Sequence, residues 1–204
     1  MSANPPVILA ITGASGSAYG LRLLEVLLQQ EREVWLLVSK AGRMVLKLEA
    51  ELEVPARPEE MREFFRVLFD LPQAPLRVFG REDWLAPMAS GSHPARAMVI
   101  CPCTTGTLAA VAQGSADDLL ERAADVMLKE RRQLVLVVRE TPFSPIHLRN
   151  MLTLAEAGAT VLPANPGFYH RPQSVDDIVD FIVARVLDHL GVEHDLLPRW
   201  GLEQ

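Results

Sequence analysis

Apolar runs of strand length alternate with helical patterns along almost the whole of this 204-residue chain, and that alternation limits the fold more than any other feature. The runs are Val7–Thr12, Glu33–Val38, Ala97–Cys101, Leu134–Val138 and Thr160–Leu162. Helical periodicity covers Ala18–Gln30, Ala41–Leu52, Pro58–Phe69, Thr107–Gln113, Leu119–Glu130, His147–Ala157 and Val175–Leu190. Strands apolar on both faces must be covered on both faces. The pattern therefore predicts an α/β fold of three layers around a central parallel sheet. The chain is long enough for one such domain with a sizeable core and shows no internal repeat. Pro55–Pro58 and Leu71–Pro75 read as surface connections, and Trp84–Pro94 as a flexible loop near the site.

In parallel sheets ligands sit beyond the carboxyl ends of the strands. After the first run comes Gly13-Ala14-Ser15-Gly16, and after the second Ser39-Lys40. The third is followed by Pro102-Cys103-Thr104-Thr105-Gly106-Thr107, the fourth by Arg139-Glu140-Thr141-Pro142, and the fifth by a loop reaching Tyr169-His170-Arg171. Nearly all of these are small, hydroxylic or cationic, as a rim that holds an anion requires.

The glycine-rich turn after the first strand leaves helix N–H groups unpaired at the positive end of a helix dipole, which suits a phosphate. A dinucleotide site would also want an acidic residue ending the second strand, and Ser39-Lys40 stands there instead. A phosphate-bearing mononucleotide fits better. The plain alternative is a tight connection with a serine N-cap that binds nothing. A nucleophile elbow is discounted because residue 17 is serine where that motif needs glycine.

A net charge of −6 argues against nucleic acid or an anionic membrane as the main partner, so any anion site must be a local concentration of basic residues. The amino terminus lacks the regions of a signal peptide and no apolar run is long enough to span a membrane, which points to the cytoplasm. Cys101 and Cys103 are too close for an unstrained disulfide and too few for a zinc site; they read as buried, reduced thiols at a strand end. None of the five histidines has metal-ligand spacing with another, and no metal is implied.

On the last helix Val175, Ile178, Val179, Ile182 and Val186 form the apolar arc, with Asp176, Asp177, Asp180, Ala184 and Asp188 opposite. Arg185 falls at the edge of that arc and needs an anion: either a phosphate, or a structural salt bridge or an exit to solvent. Arg122 and Lys129 lie seven residues apart on one helix, where Asp125 can pair with Lys129 at i,i+4. Arg139 suits a bidentate phosphate contact, and Glu140 suits proton transfer or flavin orientation; mutual pairing is their plain alternative. Trp84, Tyr169 and Trp200 lie in loops or the tail, where they can form a stacking wall, pack an edge or touch another subunit. Pro198-Arg199-Trp200-Gly201 looks like a docking segment, part of a tail around 195–204.

Together these motifs resemble the UbiX-type flavin prenyltransferases, formerly described as aromatic-acid decarboxylases of the ubiquinone pathway. The resemblance rests on Thr12-Gly-Ala-Ser-Gly, Cys101-Pro-Cys-Thr-Thr-Gly-Thr-Leu, Glu121-Arg-Ala-Ala-Asp-Val, Leu128-Lys-Glu-Arg-Arg, Arg139-Glu-Thr-Pro and Gly167-Phe-Tyr-His-Arg-Pro-Gln-Ser. It implies a single flavoprotein domain of flavodoxin-like, Rossmann-like fold. The implied reaction joins a dimethylallyl group to N5 and C6 of reduced FMN, without a metal, releasing phosphate from dimethylallyl phosphate. The prenylated FMN would serve a UbiD-type decarboxylase, and the enzyme would be a cytoplasmic homododecamer.

By the same resemblance Gly13, Ala14, Ser15, Ser39, Thr104, Thr105, Gly106, Thr107 and Arg139 hold FMN. Lys129, Tyr169 and Arg185, with Arg139 nearby and Arg122 on the helix of Lys129, bind the dimethylallyl phosphate, Lys129 serving a site shared between subunits. Ser15, Glu49, Glu140 and Lys129 are the implied catalytic residues, and Trp84 and Trp200 shield the allylic cation. Several cations are what departure of a monophosphate without magnesium requires. Thr104 stands where many relatives have serine, and Asp118 where they often have asparagine, which removes an amide donor.

Three other functions fit parts of the pattern. A peptidyl-cysteine oxidative decarboxylase shares the flavin fold but carries a Pro-Ala-Ser-Ala-Asn-Thr-like segment where this chain has Pro102-Cys-Thr-Thr-Gly-Thr. A direct aromatic-acid decarboxylase is the second. A non-enzymatic flavin carrier needs the Gly and Thr loops but not the phosphate-binding cations.

Overall fold

Residues 5–93 and 95–198 are described in the structure, a computed structural model. In chain order the elements are β1 (Val7–Ile11), α1 (Ser17–Gln29), β2 (Val34–Val38), α2 (Lys40–Ala50), α3 (Pro58–Leu68), β3 (Leu76–Val78), β4 (Ala97–Cys103), α4 (Thr105–Gln113), α5 (Leu119–Lys129), β5 (Gln133–Val138), α6 (Pro145–Glu156), β6 (Thr160–Pro163) and α7 (Val175–Leu190). The six strands form one sheet in the order β3-β2-β1-β4-β5-β6. Every pairing is parallel, with Ile11 beside Val38 and Ala10 beside Ile100.

Alternate residues of β1 enter two separate cores. Val7, Leu9 and Ile11 pack with α1, α2, α3 and α7, through side chains such as Leu23, Leu46, Phe65 and Val183. Ile8 and Ala10 pack with α4, α5 and α6, through Leu108, Ala123 and Leu154. This is the three-layer arrangement that strands apolar on both faces demand. Each fully buried Leu or Ile contributes about 1.5–3 kcal/mol to it.

Two connections differ from their sequence reading. Leu76–Val78 is a sixth strand at the sheet edge, too short at three residues for an alternating pattern to emerge. The loop over Trp84–His93 is held to α5 and its C-terminal end at two carbonyls. A 3₁₀ turn at Pro87–Ala89 buries Met88, and Arg122 Nε and Arg132 donate to the carbonyls of Ala89 and Gly91 at 3.1 Å each.

Candidate functional site

The chain runs outward from β1 through β2 to β3, then returns to begin β4 on the other side of β1. The crevice beyond the carboxyl ends of β1 and β4 is therefore the switch point at which such sheets bind ligands. Thr12 fastens it. This buried hydroxyl donates to Pro102 O at 2.6 Å and accepts the N–H of Thr104 at 2.9 Å. Gly13 permits close approach of α2, since a Cβ there would lie 2.4 Å from that of Ala41.

Two helices open on this crevice with hydroxyl caps. Ser39 accepts the N–H of Gly42 at 2.9 Å and caps α2. Thr104 caps α4, accepting the N–H of Thr107 at 3.0 Å while donating to the Thr107 hydroxyl at 2.9 Å. The cap consumes one of the first-turn N–H groups, so those of Thr105 and Gly106 remain oriented away from the helix. A Cβ on Gly106 would have Thr104 Oγ1, at 3.8 Å, as its nearest neighbour, so the space beside it is open.

The start of α1 corrects the sequence reading. Its cap residue is Gly16, in the left-handed conformation at φ 97°, and no serine side chain caps it. The anion at this helix end is Glu49 of α2. Its Oε2 accepts the N–H of Gly16 at 2.9 Å, the N–H of Ser17 at 2.8 Å and the Ser17 hydroxyl at 2.9 Å. Partial burial pushes the Glu49 carboxyl up, but hydrogen bonds from Ser15, Ser17 and Gly16 outweigh this and hold it below the usual glutamate range. The N–H groups expected to face an external phosphate are thus occupied from within.

Arg139 and Glu140 leave the end of β5 and do not pair with each other. Arg139 Nε donates to Ser15 O at 3.1 Å, tying the end of β5 to the loop after β1. Glu140 accepts the N–H of Thr141 at 3.0 Å. One rim therefore brings together Gly13, Ala14, Ser15, Ser39, Glu49, Thr104–Thr107, Arg139 and Glu140.

The chain matches the Flavoprotein family over residues 1–187. It is 58% identical over 201 residues to the flavin prenyltransferase UbiX of Pseudomonas aeruginosa, covering 98% of this chain and 96% of that protein. The chain belongs to the flavin prenyltransferase family. Among solved structures, AnUbiX (PadA1) in complex with FMN and dimethylallyl pyrophosphate is 39% identical and superposes with a TM-score of 0.86, covering 98% of this chain and 100% of that one. A dodecameric FMN-dependent UbiX-like decarboxylase from Escherichia coli O157:H7 is 40% identical with a TM-score of 0.84, covering 96% and 98%.

In this family member the remaining expected site residues lie elsewhere. Lys129 ends α5 immediately before the amino end of β5, whereas Arg139 follows that strand's carboxyl end. A six-residue strand separates the two by roughly 20 Å. Arg185 lies in the last third of α7, whose final carbonyls, of His189 and Leu190, are held by Gln133 and Arg96 beside the amino ends of β5 and β4. Within one chain, then, Lys129 does not meet Arg139.

Their partners also differ from expectation. Asp125 pairs with Arg122 at 2.6 Å rather than with Lys129, and Lys129 pairs with Glu130. Arg185 pairs with Asp188 at 2.7 Å on the outer face, and Ala184, expected opposite the apolar arc, is buried. Tyr169 is exposed in the loop beyond β6, and Trp84 is half exposed in the loop leaving β3. Trp200 lies outside the described residues; of the tail, Leu196 packs against the core that contains Leu23 and Val183.

Asp118 acts in structure. It caps α5 by accepting the N–H of Glu121 and pairs with Arg81, each at 2.9 Å. Both contacts are acceptor roles that an ionised carboxylate fills. Cys101 and Cys103 are free and buried. Burial drives the Cys101 thiol strongly upward and that of Cys103 to about 12, so both stay protonated and unreactive.

Three residues at the rim were not singled out in the sequence: Thr12 as the staple, Ser17 as a ligand of Glu49, and Tyr19. The Tyr19 phenol, pushed up by burial with the Arg139 charge acting against it, packs beneath Gly16. Its polar tip in the first turn after a glycine loop was the available signal.

Proposed function

We propose that this enzyme transfers the dimethylallyl group of dimethylallyl phosphate to N5 and C6 of reduced FMN and releases phosphate. The observation that carries this reading is the switch-point rim, where two hydroxyl-capped helix starts, an arginine and two carboxylates converge. The fit to FMN is tested by the open space beside Gly106 and by the outward N–H groups of Thr105 and Gly106. There Ser39, Thr104 and Thr107 would hold the flavin with Gly13, Ala14, Ser15 and Arg139. When bound, reduced FMN supplies the nucleophilic ring atoms.

The chain's own residues do the rest. The Arg139 guanidinium stabilises negative charge beside Ser15. Glu49, ionised and held by donors, accepts a proton, with Ser15 and Glu140 serving the remaining transfers. Lys129 reaches this rim from another copy of the chain, since one copy keeps it at the opposite end of β5; Arg185, Tyr169 and Arg122 join it around the phosphate. Cations fixed in advance stabilise the departing phosphate without reorganising. Trp84 and Trp200 exclude water from the allylic cation. The assembly is a homododecamer in the cytoplasm, and the product is consumed by a UbiD-type decarboxylase.

The test is mass spectrometry of the flavin released after anaerobic incubation with reduced FMN and dimethylallyl phosphate. FMN heavier by one isoprene unit is expected. Unmodified FMN with both the monophosphate and the pyrophosphate would return the protein to the decarboxylase or carrier readings. The Arg185→Ala variant should keep flavin binding and lose transfer.

A further inference from the structure

Among the described residues, the buried polar or charged side chains are those of Thr12, Ser17, Asp118 and Asn150. Thr12 staples β1 to β4, and Asp118 caps α5. Ser17, only 2% exposed at the first position of α1, spends its hydroxyl on Glu49. Alanine at that position would favour the helix as well or better, so helix formation does not call for a serine. A buried hydroxyl is tolerated when it is hydrogen-bonded, and here the bond goes to a carboxylate from another helix.

We propose that Ser17 is a positioning residue for proton transfer by Glu49. Its hydroxyl at 2.9 Å and its N–H at 2.8 Å both fix Oε2, and Gly16 N–H adds a third contact at 2.9 Å. Oε1 takes the longer contact of 3.2 Å from Gly16, which makes it the oxygen best placed to exchange a proton. The donors are all neutral: the hydroxyls of Ser15 and Ser17 and the N–H groups of Gly16 and Ser17. Across the rim Arg139 holds Ser15 O from the end of β5, and on α2 itself Lys47 is paired with Glu53. Ser17 thus keeps the carboxylate ionised and in one orientation, acting through Glu49. This rests on Glu49 being a proton-transfer group, as proposed above.

The experiment compares the unaltered enzyme, Ser17→Ala, Glu49→Gln and the double variant. It measures kcat and KM for prenyl transfer across pH, and the Glu49 carboxyl titration by carbon-13 NMR of the intact protein. Ser17→Ala should fold and bind FMN normally, with kcat about tenfold lower and KM unchanged, as loss of one hydrogen bond to a charge implies. Its Glu49 titration and the acid limb of its rate profile should both move up toward the ordinary glutamate range. In the Glu49→Gln background the same change should have no further effect. The proposal is overturned by an unshifted Glu49 titration, or by an equal loss of kcat in both backgrounds, which marks a general effect on the helix start. Should the unaltered enzyme form no prenylated flavin, the proposal falls with the function; the NMR titration separates that result from a failure of the Ser17–Glu49 contact.

Discussion

Two helices begin at the switch point, on adjacent strands, and they treat their first N–H groups in opposite ways. At α4 the cap is local: Thr104 accepts from Thr107, three residues along, and leaves the first-turn groups of Thr105 and Gly106 to other partners. At α1 the cap comes from 33 residues away, where Glu49 takes the N–H of Gly16, as well as that of Ser17. A helix start is an anion site in either case. What differs is whether the anion belongs to the protein or has to be supplied. The first arrangement leaves donors for a ligand to use, and the second gives a carboxylate a fixed orientation and a lowered pKa.

The largest expected effect converts the second arrangement into the first. Glu49→Ala frees the Gly16 and Ser17 N–H groups and removes the carboxylate, so prenyl transfer should fall by about 100-fold or more, as loss of a positioned acid–base group implies. Flavin binding, to which Glu49 is assigned no contact, should be retained. Unchanged turnover, measured by the mass of released flavin, would remove Glu49 from the chemistry and leave it as a helix cap alone.

The converse change is smaller. Thr104→Val keeps the shape but removes the acceptor for Thr107 N–H, at a cost of about 0.5–2 kcal/mol in stability. It should also weaken FMN binding, while Thr104→Ser restores both. Urea unfolding and flavin titration check the two consequences separately. A variant that loses stability but binds FMN as before would show that Thr104 only caps the helix.

The contrast also explains what could be read from the chain. The three-layer fold was legible because β1, β2, β4 and β5 are apolar on both faces, and the rim was legible because Ser39, Thr104 and Arg139 follow strands directly. Local caps are written in adjacent residues, as at Thr104 and Thr107. The pairing of Gly16 with Glu49 is not, since nothing near either residue records that α2 returns its last turn to the start of α1. The same limit hid the separation of Lys129 from Arg139. Periodicity placed both correctly on their elements, but only strand direction shows that they stand at opposite ends of β5. Leu76–Val78 escaped because three residues carry no period. Arg185 was read at the edge of a buried arc, whereas Asp188 one turn on gives it a surface partner.

The smallest expected effect sharpens the comparison through acid stability. Glu49 has a carboxyl pKa lowered in the folded state by the donors of the α1 start. A lowered folded pKa stabilises the protein above the unfolded value and loses that contribution as pH falls through the folded value. The Thr104 cap does not titrate and contributes equally across the same range. Unfolding midpoints of the native enzyme and Glu49→Gln should therefore differ near neutral pH and converge in acid, while the gap between native and Thr104→Val stays constant. Because Glu49 is largely exposed, the converging part is expected to be small. A gap for Glu49→Gln that persists unchanged into acid would mean that the neutral amide caps α1 differently rather than that the carboxylate charge is at work.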